Sequence, residues 1–120
     1  MQKLAKREEQ IMQVFWTLNK AFIKEVLPEM PDPKPHYNSL ATMVKILEDK
    51  GFLAHETFGN MFQYYPVISK EQYQNHAVKD IVSQYFDNSY SNMLAFFAKE
   101  QKIDERELNE IIDIIKNNKK

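Results

Sequence analysis

The sequence predicts a mostly α-helical protein with a small β-hairpin wing: an N-terminal winged helix-turn-helix followed by a three-helix C-terminal dimerisation region. Three observations lead to this fold class. Residues 38–50 show the spacing of an amphipathic helix, which Gly51 closes. A hairpin with Gly59 and Asn60 at its turn follows directly. The chain of 120 residues contains only these two glycines, so we expect the remainder to be largely helical.

Two helices precede the amphipathic one. The first, at about residues 4–19, has an apolar stripe along one side. A second, short helix at about residues 22–26 is expected to end near Pro28, because proline has no amide hydrogen to donate. Four prolines within residues 28–35 then make an extended segment, which we interpret as the turn into the third helix rather than a domain linker.

The two sides of the third helix differ in chemistry. Leu40, Val44 and Leu47 recur at helical spacing on one side, whereas the opposite side is polar and is a candidate DNA-reading surface. The segments 52–58 and 61–67 flank the tight turn and are predicted to be the two strands of the wing.

Three more helices are predicted over residues 70–86, 89–99 and 105–116. Ser69 and Asp104 begin two of them as capping residues, because a Gln or Glu follows three positions later. These helices hold more large apolar side chains than about 50 residues can bury alone, which predicts a dimer interface. We assign residues 1–67 to the winged-helix domain and residues 68–120 to the dimerisation domain. The candidate dimerisation residues are Val78, Ile81, Val82, Tyr85, Phe86, Leu94, Phe97, Leu108, Ile111 and Ile115.

Composition limits the classes of function. The chain has 16 Lys and Arg against 17 Asp and Glu, so no global basic field attracts a polyanion, and any nucleic-acid binding must depend on local charge placement. The absence of cysteine excludes disulfides and thiolate metal sites and suits a cytoplasmic protein. No apolar run reaches membrane-spanning length. We expect no enzyme activity, no metal and no cofactor, because neither a catalytic motif nor a zinc-ligand spacing occurs.

Several short stretches together carry a family resemblance. They are Glu8, Ile11, Met12 and Trp16 in the first helix, the run 42–52, and Phe62-Gln63-Tyr64-Tyr65 in the second wing strand. On these residues the chain resembles the penicillinase repressor family over nearly its full length. The resemblance implies a homodimeric repressor that places the third helix of each subunit in a major groove of an inverted-repeat operator.

The resemblance also implies which residues contact DNA. The start of the third helix supplies base and phosphate contacts, and the wing tip lies along the backbone. By their own charge, Lys45 and Lys34 could hold phosphates on either side. The candidate DNA-binding residues are Lys34, Tyr37, Asn38, Ser39, Ala41, Thr42, Lys45, Gly59 and Asn60. The chain departs from the family at Ala41, where relatives often have arginine, and in a wing tip without Lys or Arg.

Regulation follows from the same resemblance. It implies control of an antibiotic-resistance or sensor-protease operon, with repression relieved when a membrane sensor protease cleaves the repressor. The candidate cleavage site is the bond between Phe96 and Phe97, although relatives are commonly cut after an asparagine. The neutral wing and the balanced charge leave an alternative open, in which the winged helix is a protein–protein interaction module without sequence-specific DNA binding.

Overall fold

A computed structural model describes residues 1–118 and confirms the predicted fold class: six helices and a small antiparallel sheet. In chain order the elements are α1 (Lys6–Leu18), β1 (Ala21–Phe22), α2 (Ile23–Val26), a 3-10 turn (Leu27–Glu29), α3 (Tyr37–Asp49), β2 (Leu53–Phe58), β3 (Met61–Pro66), α4 (Lys70–Tyr85), α5 (Tyr90–Lys99) and α6 (Glu105–Asn118).

The sheet has three strands in the order β1-β3-β2, so β3 lies in the middle. The strands β2 and β3 form the predicted hairpin, and their register runs from Leu53 opposite Pro66 to Phe58 opposite Met61. Gly59 has a φ of 61°, the positive value that its place in a tight turn requires. The strand β1 was not predicted, because a two-residue strand is too short to show alternation.

The core of the N-terminal unit is built from one face each of α1 and α3 packed against the sheet. Its completely buried side chains include Ile11, Phe15, Leu40, Val44 and Leu47. This packing fixes α3 through the apolar side that its periodicity predicted, and it leaves the polar side of that helix outside the core.

The chain divides into two compact units, Met1–Ala77 and a second unit that begins at Val78. The division falls inside α4 because the first turns of this helix pack on the N-terminal unit. The Tyr73 ring lies 5.8 Å from the ring of Trp16, and its hydroxyl donates to Glu9 Oε2 at 2.7 Å. The predicted boundary between residues 67 and 68 separates two domains that are expected to fold independently. Independent folding is a different property from this division into compact units, so the boundary stays a prediction. Residues 119 and 120 of the predicted second domain lie outside the described residues.

The predicted helix starts have the expected hydrogen bonds. The Ser69 amide donates to Gln72 Oε1 at 2.8 Å while the Gln72 amide donates to Ser69 Oγ at 3.0 Å, which completes a capping box. Asp104 Oδ1 accepts from the Glu107 amide at 2.8 Å. Over residues 1–118, no helix is both long enough and apolar enough to span a membrane.

Candidate nucleic-acid interface

The polar side of α3 is a solvent-exposed surface, which we call the reading face. It consists of Tyr37, Asn38, Ser39, Thr42 and Lys45, all of which are exposed. The apolar side of the same helix is buried, so these side chains are presented by a helix that cannot easily rotate. The reading face therefore has the rigid support that a base-contacting surface needs.

The start of α3 presents polar groups to solvent. The preceding residue, His36, has extended backbone angles, and its side chain makes no capping hydrogen bond. Asn38 and Ser39 are exposed there, whereas Ala41 is half-buried at the edge of the face. The Thr42 hydroxyl donates to the Asn38 carbonyl at 3.0 Å, which turns the hydroxyl inward to the helix. An amide side chain in this position can pair with an adenine edge, and a threonine methyl can contact a thymine methyl.

Both lysines predicted to hold phosphates already have partners within the chain. Lys34 Nζ donates to the carbonyl oxygens of Met30 at 2.7 Å and Pro28 at 3.1 Å, so it stabilises the proline-rich turn before α3. Lys45 Nζ lies 3.7 Å from Glu48 Oε1 and 3.6 Å from Asp49 Oδ1. The prediction that both lysines hold phosphates rests on residue type alone and does not include these contacts.

The hairpin beside α3 presents an apolar surface. Its turn residues Gly59 and Asn60 are exposed, and so are Phe58, Met61 and Phe62 next to them. The wing, residues 53–66, contains no Lys or Arg. Contact between this wing and a phosphate backbone would therefore depend on backbone amides and on Asn60, rather than on charge.

One polar contact joins the reading helix to the wing. The Glu48 carboxylate contacts His55 Nδ1, and the His55 ring stacks on Phe62 with their centroids 4.2 Å apart. The contact between Glu48 and His55 is not evident from the sequence, because it joins two different elements. The contacts of Lys45 have a signal in the sequence, since Glu48 and Asp49 follow Lys45 by three and four positions, as in helical ion pairs.

Another ion pair holds the same, C-terminal end of α3. Lys50 Nζ lies 2.8 Å from Glu8 Oε2, and Glu8 Oε1 accepts from the Ala5 amide at 2.9 Å. Burial acts to raise the pKa of Glu8, but the Lys50 hydrogen bond, the Ala5 amide and the charge of Lys50 together lower it below its ordinary value. The carboxylate is therefore held in its charged form between the start of α1 and the end of α3.

The start of α4 is tied to the N-terminal segment by the Tyr73 hydroxyl. It accepts from the Leu4 amide at 3.3 Å and donates to Glu9. Burial and the hydrogen bond to Glu9 raise the pKa of Tyr73 to about 12. Trp16 supports the same corner, because its Nε1 donates to the Ile68 carbonyl at 2.9 Å.

Most of the predicted dimerisation residues remain accessible in the single chain. Val78, Ile81, Tyr85 and Ile115 are exposed, and Tyr85 is the most accessible of them at 73%. The half-buried members are Phe86, Leu94, Phe97, Leu108 and Ile111. Val82 differs, because it is buried within its own chain, so its side chain serves internal packing before any association.

The candidate cleavage bond lies in the regular part of α5. Phe96 is exposed and Phe97 is half-buried, and their rings lie 5.7 Å apart. The Phe96 ring also lies 5.6 Å from Phe86, so this aromatic cluster links the end of α4 to α5 within the second unit. No set of three or more His, Cys, Asp or Glu converges as a metal-ion site within residues 1–118.

Comparison with known proteins identifies the family to which the chain belongs. Residues 4–117 match the family described as penicillinase repressor. The methicillin resistance regulatory protein MecI of Staphylococcus aureus (strain N315) is 19% identical over 114 residues, covering 94% of this chain and 93% of the relative. MecI of Staphylococcus epidermidis gives the same values, and MecI of Mammaliicoccus sciuri is 20% identical over 116 residues with the same coverage. With a family match over nearly its whole length, the chain belongs to the penicillinase repressor family of transcriptional repressors.

Proposed function

We propose that the protein is a homodimer that represses transcription by binding an inverted-repeat operator, with α3 of each subunit in a major groove. The observation that carries this proposal is the reading face: polar side chains exposed on a helix whose opposite side is completely buried, beside a hairpin wing. An α-helix fits the major groove, where each base pair has a distinct pattern of donors and acceptors.

In the proposed complex, each part of the interface has its own task. Asn38 pairs with an adenine edge, and the methyl group of Thr42 contacts a thymine methyl. Tyr37, Ser39 and the turn at Gly59 and Asn60 contact the backbone and set the register of the helix in the groove. Because the Ala41 side chain offers no hydrogen bond, base recognition depends on Asn38 and Thr42, in the first two turns of α3.

The second unit supplies the proposed dimer interface. Helices α4 and α6 expose Ile81, Tyr85 and Ile115 in the single chain, and Ile112 and Ile114 of α6 are exposed as well. A water-soluble protein rarely leaves a large apolar area uncovered, and this many large apolar side chains favour an interface. A two-fold dimer covers the same patch on both subunits and positions two reading faces for the two halves of an operator.

The names of the relatives suggest the genes under control. Several are called methicillin resistance regulatory proteins. We infer that this repressor acts in the cytoplasm on an antibiotic-resistance or sensor-protease operon and that a membrane sensor protease relieves repression by cutting between Phe96 and Phe97. Because this bond lies inside α5, the helix must open locally before a protease can bind it in extended form.

Footprinting tests the proposal directly. Purified protein is titrated on the promoter of its own transcription unit at several salt concentrations, and sites are also selected from random DNA at low salt. We expect two protected half-sites, one helical turn or a multiple apart, with protection that weakens as salt rises. Absence of protection together with absence of any selected site would refute the DNA-binding proposal.

The alternative is a winged helix that binds another protein and no specific DNA sequence. Two observations favour it: Lys34 and Lys45 already have partners, and the wing has no Lys or Arg. Footprinting distinguishes the two functions, because a protein-interaction module gives the same negative result on operator and random DNA.

A further inference from the structure

We propose that Asp49 and Glu48 set the DNA affinity of the reading face by competing with DNA phosphates for the ammonium group of Lys45. This inference rests on the proposed DNA binding and concerns how strong that binding is. The two carboxylates would be positioning residues, which act on DNA through Lys45 and need not contact the DNA themselves.

The first observation is the geometry of the three charged groups. Lys45 Nζ lies between two carboxylate oxygens, 3.7 Å from Glu48 Oε1 and 3.6 Å from Asp49 Oδ1. The side chains of Lys45 and Asp49 are each 65% exposed, so this arrangement forms on the surface of α3 that the DNA backbone would approach. One cation is matched by two anions, and the group carries a net negative charge.

The second observation is that Glu48 is partly buried and held by a second contact, whereas Asp49 is exposed to solvent. The Glu48 side chain is only 18% exposed, and its Oε2 contacts His55 of the wing. Its Oε1 is buried and accepts no hydrogen bond from any residue that the structure describes, so the ionic contact with Lys45 is what compensates that oxygen. Withdrawal of Lys45 toward a phosphate would leave this buried oxygen without a compensating charge.

The competition weakens DNA binding without blocking it. An exposed ion pair contributes little free energy, so a phosphate placed by a correctly bound operator can displace Asp49 from Lys45. A phosphate met during non-specific encounter finds the ammonium already compensated and two carboxylates beside it. Lys45 therefore strengthens DNA binding by less than a free lysine would. Its contribution depends on how far its ion pairs with Glu48 and Asp49 are broken in the complex.

A double-mutant cycle on operator DNA tests this mechanism. Asp49→Asn removes one competing charge at nearly constant size, and Lys45→Ala removes the cation for which it competes. We expect Asp49→Asn to raise the affinity for operator DNA about two- to threefold per half-site. The free energy of an exposed ion pair corresponds to a change in affinity of about this size. The slope of log affinity against log salt should become steeper by up to about 0.9 per half-site, because Lys45 neutralises its phosphate more fully.

The Lys45→Ala background decides between mechanisms. If the carboxylate acts through Lys45, Asp49→Asn should leave both affinity and salt slope nearly unchanged when Lys45 is absent. An equal gain in both backgrounds would mean that Asp49 simply repels DNA, and the inference would be wrong. Asp113→Asn, on α6, is the matched charge control and should leave operator affinity unchanged.

In Asp49→Asn, Glu48 could by itself still hold the Lys45 ammonium away from a phosphate. The double variant Glu48→Gln with Asp49→Asn removes both carboxylates and tests this case. If neither this pair nor Asp49→Asn changes the affinity or the salt slope, the carboxylates do not set affinity. That result differs from failure of the proposed function, in which the unmodified protein also binds neither its operator nor any selected DNA.

Discussion

Replacement of Lys50 by methionine should destabilise the N-terminal unit more than any exposed lysine substitution. The change keeps a long apolar stem and removes the ammonium that pairs with Glu8 at 2.8 Å. The Glu8 carboxylate then remains largely buried, and within residues 1–118 the Ala5 amide is its remaining hydrogen-bond donor. An uncompensated buried charge is the cause of the destabilisation.

The size of the effect follows from burial. A charge-assisted hydrogen bond contributes about 1.5–3 kcal/mol, and breaking a fully buried ion pair costs about 3–5 kcal/mol. The side chains of Lys50 and Glu8 are 27% and 11% exposed, so solvent screens the pair in part. We therefore expect Lys50→Met to lower the free energy of unfolding by about 2–3 kcal/mol at pH 7.

The penalty should depend on pH in a defined direction. In the unmodified protein the lowered pKa of Glu8 contributes stability that is present above its unfolded pKa and is lost as pH falls through the lower folded pKa. Without Lys50, the Ala5 amide alone among these causes opposes the effect of burial, so the pKa of Glu8 rises and the carboxyl takes up a proton at higher pH. The difference in unfolding free energy between the two proteins should therefore shrink between pH 7 and about pH 4.

Urea denaturation at fixed protein concentration measures this difference, since urea leaves the ion pair unscreened and any association is held constant. Lys20→Met, at an exposed position between α1 and β1, is the control and should change stability by less than about 0.5 kcal/mol. In a Glu8→Gln background, Lys50→Met should cost much less. A penalty that does not change with pH, or that persists at full size in that background, would refute the role of the ion pair.

Three further predictions concern other parts of the chain. Asn38→Ala or Thr42→Ala should weaken operator binding by about 1–3 kcal/mol while circular dichroism stays unchanged; unchanged footprinting titrations in both variants would remove α3 as the reading helix. Tyr85→Asp should separate the proposed dimer in sedimentation, because a charge is placed in an apolar contact, and a variant that remains dimeric would place the interface on another face. Tyr73→Phe should lower the free energy of unfolding by about 1–2 kcal/mol through loss of its bond to Glu9, and an unchanged urea midpoint would contradict this role.

The helices and the hairpin could be predicted from the sequence because their signals are local. The periodicity of Leu40, Val44 and Leu47 reports the buried side of α3, and all three are completely buried. The turn at Gly59 has the positive φ that glycine permits. Patterns of this kind depend on residues that are close in sequence. They agree with the folded structure because the tertiary packing buries the same apolar side.

The electrostatic state of the candidate interface could be predicted only in part. The partners of Lys45 follow it at helical spacing and were therefore visible in the sequence. The partners of Lys34 were not, because they are main-chain carbonyls of a turn whose shape is set by proline and by the chain as a whole. The contact between Glu48 and His55 joins α3 to β2, so it depends on how these elements pack.

A weakly charged reading face gives the proposed dimer a functional advantage. With Lys34 and Lys45 partly compensated and no Lys or Arg in the wing, each half-site should contribute little electrostatic affinity by itself. Binding of an operator then depends on both half-sites at once, since the second binding event is intramolecular once the first has occurred. In the proposed mechanism, any event that separates the subunits, such as the proposed cleavage within α5, would remove this gain and release the DNA. A strongly basic reading face would hold a single subunit on DNA after separation, and repression would be harder to relieve.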